Sequence, residues 1–425
     1  MNLQKRDFIQ TLAVFVLACV LRFALIIAWY TPNLQNFSGG DYKLYSIGAE
    51  DILQRGSFDN SLFLIRPPLF PIMISVLGLN ANIVLVVNAI LGALIAPLTY
   101  LFARQCRLSK SLSLLAALIV AVDPASIIYT AFLGSEALAN IGLLISLILL
   151  LASLRSSGLR SGLLLATIAG VALAFSSLAR PATFLLWAVL AVWGMIAYRR
   201  KWALVIVFML VSAIGVGTWI VHNGVVFGNY TFSTIGTYNL LYYRAASVES
   251  RGAGLTLDET YTELSRRVEA RLGHDTSKVD AGTRYGHEAA TAELQPVIQN
   301  VALEVFIKYP IIYLLTVPIG LYHILALTDV ASPLAMVIIM GWNLCLVVAT
   351  GAGLIVLYRK MRRDMFWLIL LICAYYIVGT LVVQTSGIDT RARTMLTPLM
   401  AIAAVYCLQS VFRRRFNTVI EASVE

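Results

Sequence analysis

Charged residues are scarce in this chain of 425 residues, and the signature motifs of several soluble enzyme classes are missing. Asp, Glu, Lys and Arg together make up 13% of the sequence, whereas hydrophobic residues make up 59%. The sequence contains no P-loop, no GxGxxG that opens a helix, no HExxH and no long internal repeat. These absences argue against a nucleotide-binding fold, a zinc protease and a repeat protein.

Long apolar runs recur from one end of the chain to the other, and the mean hydropathy is +0.82. Runs of about 18 residues or more can cross roughly 30 Å of hydrocarbon. The run from Phe8 has no small-residue cleavage site, so we interpret it as a retained span rather than a signal peptide. The predicted spans are 8–30, 81–103, 111–123, 136–154, 161–179, 182–198, 202–222, 333–357, 365–385 and 395–412. The sequence therefore predicts an all-α, polytopic membrane protein with about ten transmembrane helices in one membrane-embedded domain, 1–425.

Residues 301–327 are also apolar, but we do not count them as a span. They contain Glu304, Lys308, Pro310 and Pro318, which are costly in a lipid-exposed crossing. An additional span here would also move the C-terminal basic residues to the other side of the membrane. We predict an external interfacial or re-entrant segment, and eleven spans are the alternative.

The net charge of +10 reflects membrane topology rather than a nucleic-acid partner. Of the 32 Lys and Arg residues, 17 lie in six short clusters between or beside spans. These clusters are Lys5-Arg6, Arg104/Arg107/Lys110, Arg155/Arg160, Arg199–Lys201, Arg359/Lys360/Arg362/Arg363 and Arg413–Arg415. The positive-inside rule places them, and both termini, in the cytoplasm. The outer segments are then 31–80, 124–135 and 223–300, and they contain none of the five cysteines. No external disulfide or cysteine–metal site is expected.

The loop between the first two predicted spans carries the most informative pattern. Asp41 follows a Gly pair, and an Arg-Pro-Pro step begins at Arg66. Between them, helical spacing separates an apolar face from a polar one, which predicts an amphipathic interfacial helix. The two faces are Tyr42, Tyr45, Ala49 and Ile52 against Lys43, Ser46, Glu50 and Gln54.

Charged residues at the external ends of spans are candidates for function, because such charges are costly near hydrocarbon. The arginines suit a phosphate, since a guanidinium group can donate two parallel hydrogen bonds to phosphate oxygens. A nearby carboxylate can accept a proton from a hydroxyl. Structural roles stay open: Asp41 also fits a capping box with Ser38, Glu136 a helix start and Asp123 a helix end, and arginines can anchor to headgroups. The candidates are Asp41, Glu50, Asp51, Asp123, Glu136, Asp389, Arg66, Arg180, Arg391 and Arg393.

The order of these features resembles the glycosyltransferase C superfamily, in particular the bacterial protein O-mannosyltransferases and the lipid A aminoarabinose transferases. Members often carry a second acid just before the basic-Pro-Pro step, where this sequence has Ile65, and many carry a soluble C-terminal domain. The matching motifs, in order, are Asp41-Tyr42-Lys43-Leu44-Tyr45, Arg66-Pro67-Pro68-Leu69, Glu136 in LGSEALAN, Arg180-Pro181, and DTRARTMLTP over Asp389–Pro398.

The resemblance implies an enzyme that moves a monosaccharide from a polyprenyl-phosphate donor to an acceptor hydroxyl at the outer face of the plasma membrane. The sugar, the acceptor (protein, lipid or glycan) and the use of a divalent metal stay open, and no nucleic acid is expected as a partner. The implied site residues are Asp41 and Glu136 for catalysis, Arg66, Arg180, Arg391 and Arg393 for the donor phosphate, and Tyr42, Lys43 and Tyr45 for substrate contact.

Two other functions stay open on sequence grounds. A transporter or flippase of a lipid-linked sugar would be expected to show two similar halves and charges in mid-bilayer, whereas this chain shows neither pattern. A surface-polysaccharide polymerase or ligase would use an oligosaccharide donor and would be expected to carry a large external loop rich in Arg and His. The loop 223–300 is modest in size and mixed in charge.

Overall fold

The structure is a computed structural model, and it describes residues 2–32, 34, 36–37, 40–280, 292–327, 333–359, 363–384 and 390–408. Side chains are described from Asp7 onward, apart from that of Lys278. Several residues that the sequence singled out lie outside the described residues. They are Ser38, Lys360, Arg362, Asp389 and Arg413–Arg415.

The described chain is a succession of α-helices and contains no strand. Short 3₁₀ segments follow α9 and α10 and precede α19, and a π-helical turn, Leu240–Ala245, joins α12 to α13. The α-helices are α1 (Asn2–Trp29), α2 (Gly40–Arg55), α3 (Leu62–Ile65), α4 (Leu69–Val76), α5 (Ala81–Gln105), α6 (Lys110–Val122), α7 (Pro124–Ala131), α8 (Glu136–Arg155), α9 (Leu159–Ala179), α10 (Leu186–Ala197), α11 (Trp202–Phe227), α12 (Ile235–Asn239), α13 (Ala246–Ala253), α14 (Leu257–Arg271), α15 (Leu294–Lys308), α16 (Pro310–Leu325), α17 (Pro333–Arg359), α18 (Arg363–Val383) and α19 (Thr397–Leu408).

The all-α, multi-pass architecture is confirmed. Within the described ranges, seven helices are long and apolar enough to cross a membrane, and the two bent pairs α6–α7 and α15–α16 raise the number to nine. The predicted spans 182–198 and 395–412 correspond to the shorter apolar helices α10 and α19. The ten-span interpretation therefore amounts to counting α6, α10 and α19 as crossings, with α7 in an outer segment, and not counting α15–α16.

The helices that bury most and least surface define the core and the lipid-facing side. Helix α8 is the most buried of the seven long spans, whereas α1, α17 and α18 leave most of their apolar surface exposed. Large apolar side chains such as Ile27, Ile214 and Val348 point outward. A helix that is apolar on its outward face as well as its core face is typical of a membrane environment. At Gly142, α8 comes so close to α9 that a Cβ would lie 3.0 Å from the backbone of Ser176.

One end of the bundle gathers basic residues from separate clusters. Lys110 forms an ion pair of 2.5 Å with Asp7, next to the N-terminal cluster. Arg155 donates to the carbonyl of Gln105, and Lys201 donates to the carbonyl of Ser156. Clusters that the sequence assigned to one side of the membrane thus lie together at one end of the helices.

Both breaks between paired helices occur directly before a proline. Helices α6 and α7 meet at 56° around Asp123, and α15 and α16 meet at 101° around Tyr309. A residue before proline is disfavoured in the helical conformation; Tyr309 has φ −128° and ψ 58°. The predicted single segment 301–327 is therefore two helices in different directions, because Pro310 ends the first one.

Helices α12 to α15 form a second, smaller hydrophobic core beside the bundle. It includes Leu241, Val248, Leu264, Val268 and Val301, all buried. A capping box between Thr256 and Glu259 begins α14. The described part of the outer segment 223–300 thus forms short helices that pack together. That the whole chain is one domain stays a prediction.

Candidate functional site

The first half of the candidate site comes from the loop between α1 and α5. Asp41 lies in the first turn of α2, and Arg66 lies at the end of α3, held extended by the prolines that follow it. The Nη2 atom of Arg66 contacts Oδ1 of Asp41 at 2.5 Å. The two ends of one loop motif, 25 residues apart, are therefore joined by an ion pair.

The second half comes from three helix ends of the bundle. Glu136 is the first residue of α8, and Arg180 follows the last residue of α9. Arg391 precedes the 3₁₀ turn Ala392–Met395, which leads into α19. The Oε1 atom of Glu136 accepts from Nη1 of Arg180 and from Nε of Arg391, both at 2.5 Å. One buried carboxylate oxygen thus holds two guanidinium groups from distant parts of the sequence.

Arg391 joins the two halves into one cluster. Its Nη2 atom lies 3.3 Å from Oδ2 of Asp41 while its Nε atom contacts Glu136. The cluster contains three guanidinium groups and two carboxylates, which leaves one positive charge in excess. The structure thus brings together five of the six residues that the sequence nominated for catalysis and phosphate binding. They are Asp41, Arg66, Glu136, Arg180 and Arg391.

Exposure within the cluster falls from Arg391 to Glu136. The side chain of Arg391 is 30% exposed and that of Asp41 is 24% exposed, whereas Glu136 is 1% exposed. Burial by itself would lower the pKa of Arg391, but the carboxylates of Glu136 and Asp41 raise that pKa above its usual value. Burial likewise opposes the charge of Arg66, and Asp41 raises the pKa of Arg66 on balance. Both arginines therefore stay cationic, and Arg391 is the more exposed of the two.

The three residues predicted to contact substrate occupy different positions on α2. Tyr45 is buried beneath Arg66, whose Cζ atom lies 5.5 Å from the ring centroid, and its hydroxyl shares a hydrogen bond of 3.2 Å with Ser135. Tyr42 is half-buried, and burial raises its pKa. Lys43 is exposed on the opposite face of the helix. The predicted amphipathic helix is thus present, with Tyr45 on its inner face, and substrate contact by these residues stays a prediction.

Arg393, the sixth nominated residue, lies in a different environment from Arg391. Its side chain is fully buried, and its Nη2 atom contacts Oδ1 of Asp123 at 3.1 Å and Oδ1 of Asn343 at 2.7 Å. Successive residues of a 3₁₀ turn are rotated by about 120°, so side chains two positions apart point in different directions. The fold therefore separates the predicted Arg391/Arg393 phosphate pair. Asp123, predicted to end a helix, does end α6 and caps α7, and it is also the partner of Arg393.

Two further residues that shape the site did not stand out in the sequence. Asn88 of α5 donates from Nδ2 to the carbonyls of Phe132 and Gly134, at 2.6 and 2.9 Å, and so fixes the loop before Glu136. A Cβ at Gly134 would overlap Oε2 of Glu136 and lie 3.2 Å from Nη2 of Arg391. A polar Asn in an apolar span is a sequence signal for such a role, whereas the need for Gly134 depends on tertiary contacts.

The described acidic and metal-ligating side chains do not fit a metal ion. No group of three or more His, Cys, Asp or Glu residues is close enough to hold one in the part of the chain that the structure describes. Asp41 and Glu136 contact arginines, and position 65, just before Arg66, is a buried isoleucine. The described groups that this site offers for chemistry are therefore its own carboxylates and guanidinium groups.

No protein-family model matches the chain, and no curated protein is significantly similar to it in sequence. Solved structures of similar fold exist. The oligosaccharyltransferase AglB from Archaeoglobus fulgidus, in complex with an inhibitory peptide and a dolichol-phosphate, has a TM-score of 0.56 and 17% identity. That match covers 97% of this chain and 52% of AglB. A structure of the A. fulgidus oligosaccharyltransferase tethered to an acceptor peptide with an NVT sequon has a TM-score of 0.55 and 15% identity, covering 95% of this chain and 50% of that protein.

The fold of this chain is similar to that of these archaeal oligosaccharyltransferases. The likeness extends over nearly the whole of this chain, but the chain spans only about half the length of the oligosaccharyltransferases that it matches. At 15–17% identity, the likeness concerns the arrangement of the helices. The superfamily resemblance drawn from the motifs is thus supported at the level of the fold, while the subtype stays a prediction.

Proposed function

We propose that this chain is a membrane glycosyltransferase that moves a sugar from a polyprenyl-phosphate donor to an acceptor hydroxyl. The observation that carries the proposal is the bridging position of Arg391, between Asp41 at 3.3 Å and Glu136 at 2.5 Å. This contact puts a candidate base and a candidate phosphate ligand side by side at the end of the membrane spans. The glycosyltransferase C-like fold is consistent with the proposal.

The charge of the cluster fits a phosphodiester donor. A polyprenyl-phosphate sugar carries one negative charge on its phosphodiester, and the cluster has one positive charge in excess. Arg391 is partly exposed, and Nε of Arg66 has no hydrogen-bond partner within the described residues. Guanidinium groups can bind phosphate oxygens through two parallel N–H donors. In the proposed complex, Arg66, Arg180 and Arg391 face the donor phosphate, whereas the fully buried Arg393 does not contact it.

The proposed reaction is a displacement at the anomeric carbon of the donor. The oxygen of the acceptor hydroxyl forms a bond to that carbon as the bond between the carbon and the phosphate oxygen breaks. The electron pair of the broken bond leaves with polyprenyl phosphate, which gains a second negative charge that the arginines stabilise. Asp41 accepts the hydroxyl proton. Attack from the face opposite the phosphate inverts the configuration of the sugar.

Glu136 has a supporting role in this mechanism. Its buried carboxylate contacts Arg180 and Arg391 through one oxygen and sets the spacing of the two guanidinium groups before the donor binds. Donors that are already in place reduce the reorganisation that accompanies charge development in the transition state. We infer that Glu136 orients the arginines and that Asp41, which is more exposed, acts on the acceptor.

The proposed location of the site is the outer face of the plasma membrane, with both termini in the cytoplasm and the segment 223–327 covering the donor. Labelling of intact cells with a membrane-impermeant amine reagent tests this orientation. Lys43 of α2 and Lys278 should react, whereas Lys360, in a basic cluster, should not. Labelling of Lys360 with protection of Lys43 would reverse the orientation and refute the location.

The reaction itself is tested with purified protein in detergent or vesicles and a polyprenyl-phosphate monosaccharide that is labelled in both parts. We expect release of polyprenyl phosphate together with transfer of the labelled sugar to an added acceptor fraction. A flippase would move the lipid between leaflets without cleaving it, and a polysaccharide ligase would use a polyprenyl-linked oligosaccharide and leave the monosaccharide donor intact. Either outcome contradicts the proposal.

A further inference from the structure

Two ion pairs connect the same two segments of the chain. The first segment, which we call the α7 segment, comprises residues 123–136 and ends at Glu136. The second, the arginine turn, comprises residues 390–396. Glu136 pairs with Arg391 at the open cluster, and Asp123 pairs with Arg393 inside the protein. The carboxylates lie at the two ends of one segment, and the arginines lie two residues apart on the other.

The inner pair is fixed from several directions. Oδ1 of Asp123 accepts from Nε1 of Trp342 at 2.9 Å, in addition to Arg393. Oδ2 accepts from the backbone N–H and the hydroxyl of Ser126, at 2.9 and 2.7 Å. Asp123 and Arg393 are both fully buried. Both oxygens of Asp123 are hydrogen-bonded, whereas Nε and Nη1 of Arg393 have no partner within the described residues. Because separating two paired buried charges is costly, the pair restricts how the segments that carry it can move.

The geometry of the arginine turn links the Asp123–Arg393 pair to the orientation of Arg391. The backbone N–H of Arg393 donates to the carbonyl of Thr390, and the hydroxyl of Thr394 donates to the carbonyl of Arg391. Asn140 of α8 donates to the carbonyl of Thr394 at 2.9 Å. Successive residues of such a turn are rotated by about 120°, so side chains two positions apart point in different directions. Holding Arg393 inward therefore directs Arg391 toward the cluster.

The α7 segment is anchored on its other side by a buried arginine of α1. Nε of Arg22 donates to the hydroxyl of Thr130 at 2.9 Å, and Nη2 lies 3.4 Å from the carbonyl of Ser126. A Cβ at Gly92 would overlap Thr130, so α5 also closes against α7 here. Helix α7 therefore has little freedom to move away from the arginine turn.

We propose that Asp123, Arg393 and Trp342 are positioning residues that hold Arg391 in register with Glu136 and Asp41. This inference rests on the proposed function, because Arg391 is taken to bind the donor phosphate. The three residues act on the reaction through Arg391 and do not touch the reacting atoms. The inner pair fixes the arginine turn, and the turn presents Arg391 at the spacing that the donor phosphate requires.

The first test measures the position of residue 391 without using activity. Arg391→Cys is reacted with a membrane-impermeant thiol reagent, and background labelling of the native cysteines is subtracted with the unsubstituted chain. Adding Trp342→Phe, which removes one donor to Asp123, should change the labelling rate severalfold. Trp367→Phe on α18, exposed and away from the pair, is the matched control and should leave the rate unchanged. Equal rates in all three proteins would overturn the positioning role, whatever the donor proves to be.

The second test asks whether the inner pair acts through Arg391. Trp342→Phe removes one hydrogen bond to a buried carboxylate, so it should lower thermal stability modestly. It should also raise the apparent donor KM by about threefold, because Arg391 is held less firmly. In an Arg391→Lys background the same substitution should have no further effect. Equal KM increases in both backgrounds, or a lower Tm with an unchanged KM, would mean that the pair is only structural. Asp123→Asn should give a larger effect if that variant folds, and Trp342→Phe carries the test if it does not.

Discussion

Arg391 and Arg393 stand two residues apart in one turn, yet their surroundings differ in every respect that matters for function. Arg391 is 30% exposed and contacts two carboxylates from different helices, whereas Arg393 is 0% exposed and contacts one carboxylate and one amide. Two arginines of one basic motif can therefore have different roles: Arg391 belongs to the candidate site, and Arg393 supports the turn that carries it. Exposure and shared partners distinguish the two roles better than residue type does.

The same contrast applies to the carboxylates. Asp41 lies at the open side of the cluster, where a substrate hydroxyl can approach it. Asp123 is fully buried and satisfied by Arg393, Trp342 and Ser126. Removing one partner of a buried pair leaves an uncompensated charge and costs about 3–5 kcal/mol. Substitutions at the open cluster should therefore lower transfer and spare stability, while substitutions at the buried pair should lower both.

The largest effect is expected for Asp41→Asn, which keeps the size of the side chain and removes the proton acceptor. Sugar transfer should fall by roughly 100-fold or more, while the thermal unfolding temperature stays near that of the unsubstituted protein. Glu50→Gln on the exposed face of α2 is the matched control and should leave transfer unchanged. Transfer within a few-fold of the unsubstituted protein would make Asp41 a structural residue of α2, and Glu136 would be the next candidate.

Replacing each arginine by lysine in turn tests whether Arg391 and Arg393 have different roles. Arg391→Lys should weaken donor use by roughly 10- to 100-fold, since a charge-assisted bond contributes about 1.5–3 kcal/mol, and should leave stability nearly unchanged. Arg393→Lys should lower the free energy of unfolding by about 1–3 kcal/mol, because the shorter lysine side chain does not place its amine where Nη2 of Arg393 contacts both Asp123 and Asn343. Donor titration and chemical denaturation of both variants provide the measurement. The reverse pattern would show that the roles of the two residues are exchanged.

A smaller effect is expected for Gly134→Ala, which alters the cluster without changing any charge. The added methyl would overlap Oε2 of Glu136 and approach Arg391, so the carboxylate has to move aside. We expect transfer to fall by roughly tenfold, as for other small displacements of positioned groups. Gly341→Ala, where a Cβ would meet no atom within 4 Å, is the control. Equal kinetics in the two variants would show that the spacing of Glu136 and Arg391 is not critical.

Much of the fold could be predicted because hydrophobic length and basic clusters constrain membrane helices strongly. Each predicted span has a helical counterpart in the structure. The division of 301–327 was missed, although Pro310 was visible, because the pattern does not say how sharply a chain turns at a proline. The buried Arg22 within α1 and Asn88 within α5 were also missed, and polar residues in apolar runs were the signal for both.

The residues of the candidate site could be predicted from the sequence, but their arrangement in space could not. Asp41 and Arg66 share one loop motif, so their contact could be expected. Glu136 and Arg391 are 255 residues apart, and only tertiary packing brings them together. The orientation of Arg391 relative to Arg393 depended on whether the approach to α19 is extended or helical. The 3₁₀ turn decides this point, and no residue in the sequence specifies it by itself.

Stabilisation of the purified protein by polyprenyl phosphate, the proposed leaving group, tests most directly whether the cluster binds a lipid-linked phosphate. Binding to the folded state at about 100 times Kd should raise the free energy of unfolding by about 2.7 kcal/mol. We expect this increase for the unsubstituted protein, a much smaller one for Arg391→Lys, and none with the corresponding polyprenol, which lacks the phosphate. Equal stabilisation by polyprenol, or an undiminished effect in Arg391→Lys, would contradict the claim that this cluster holds a lipid-linked phosphate.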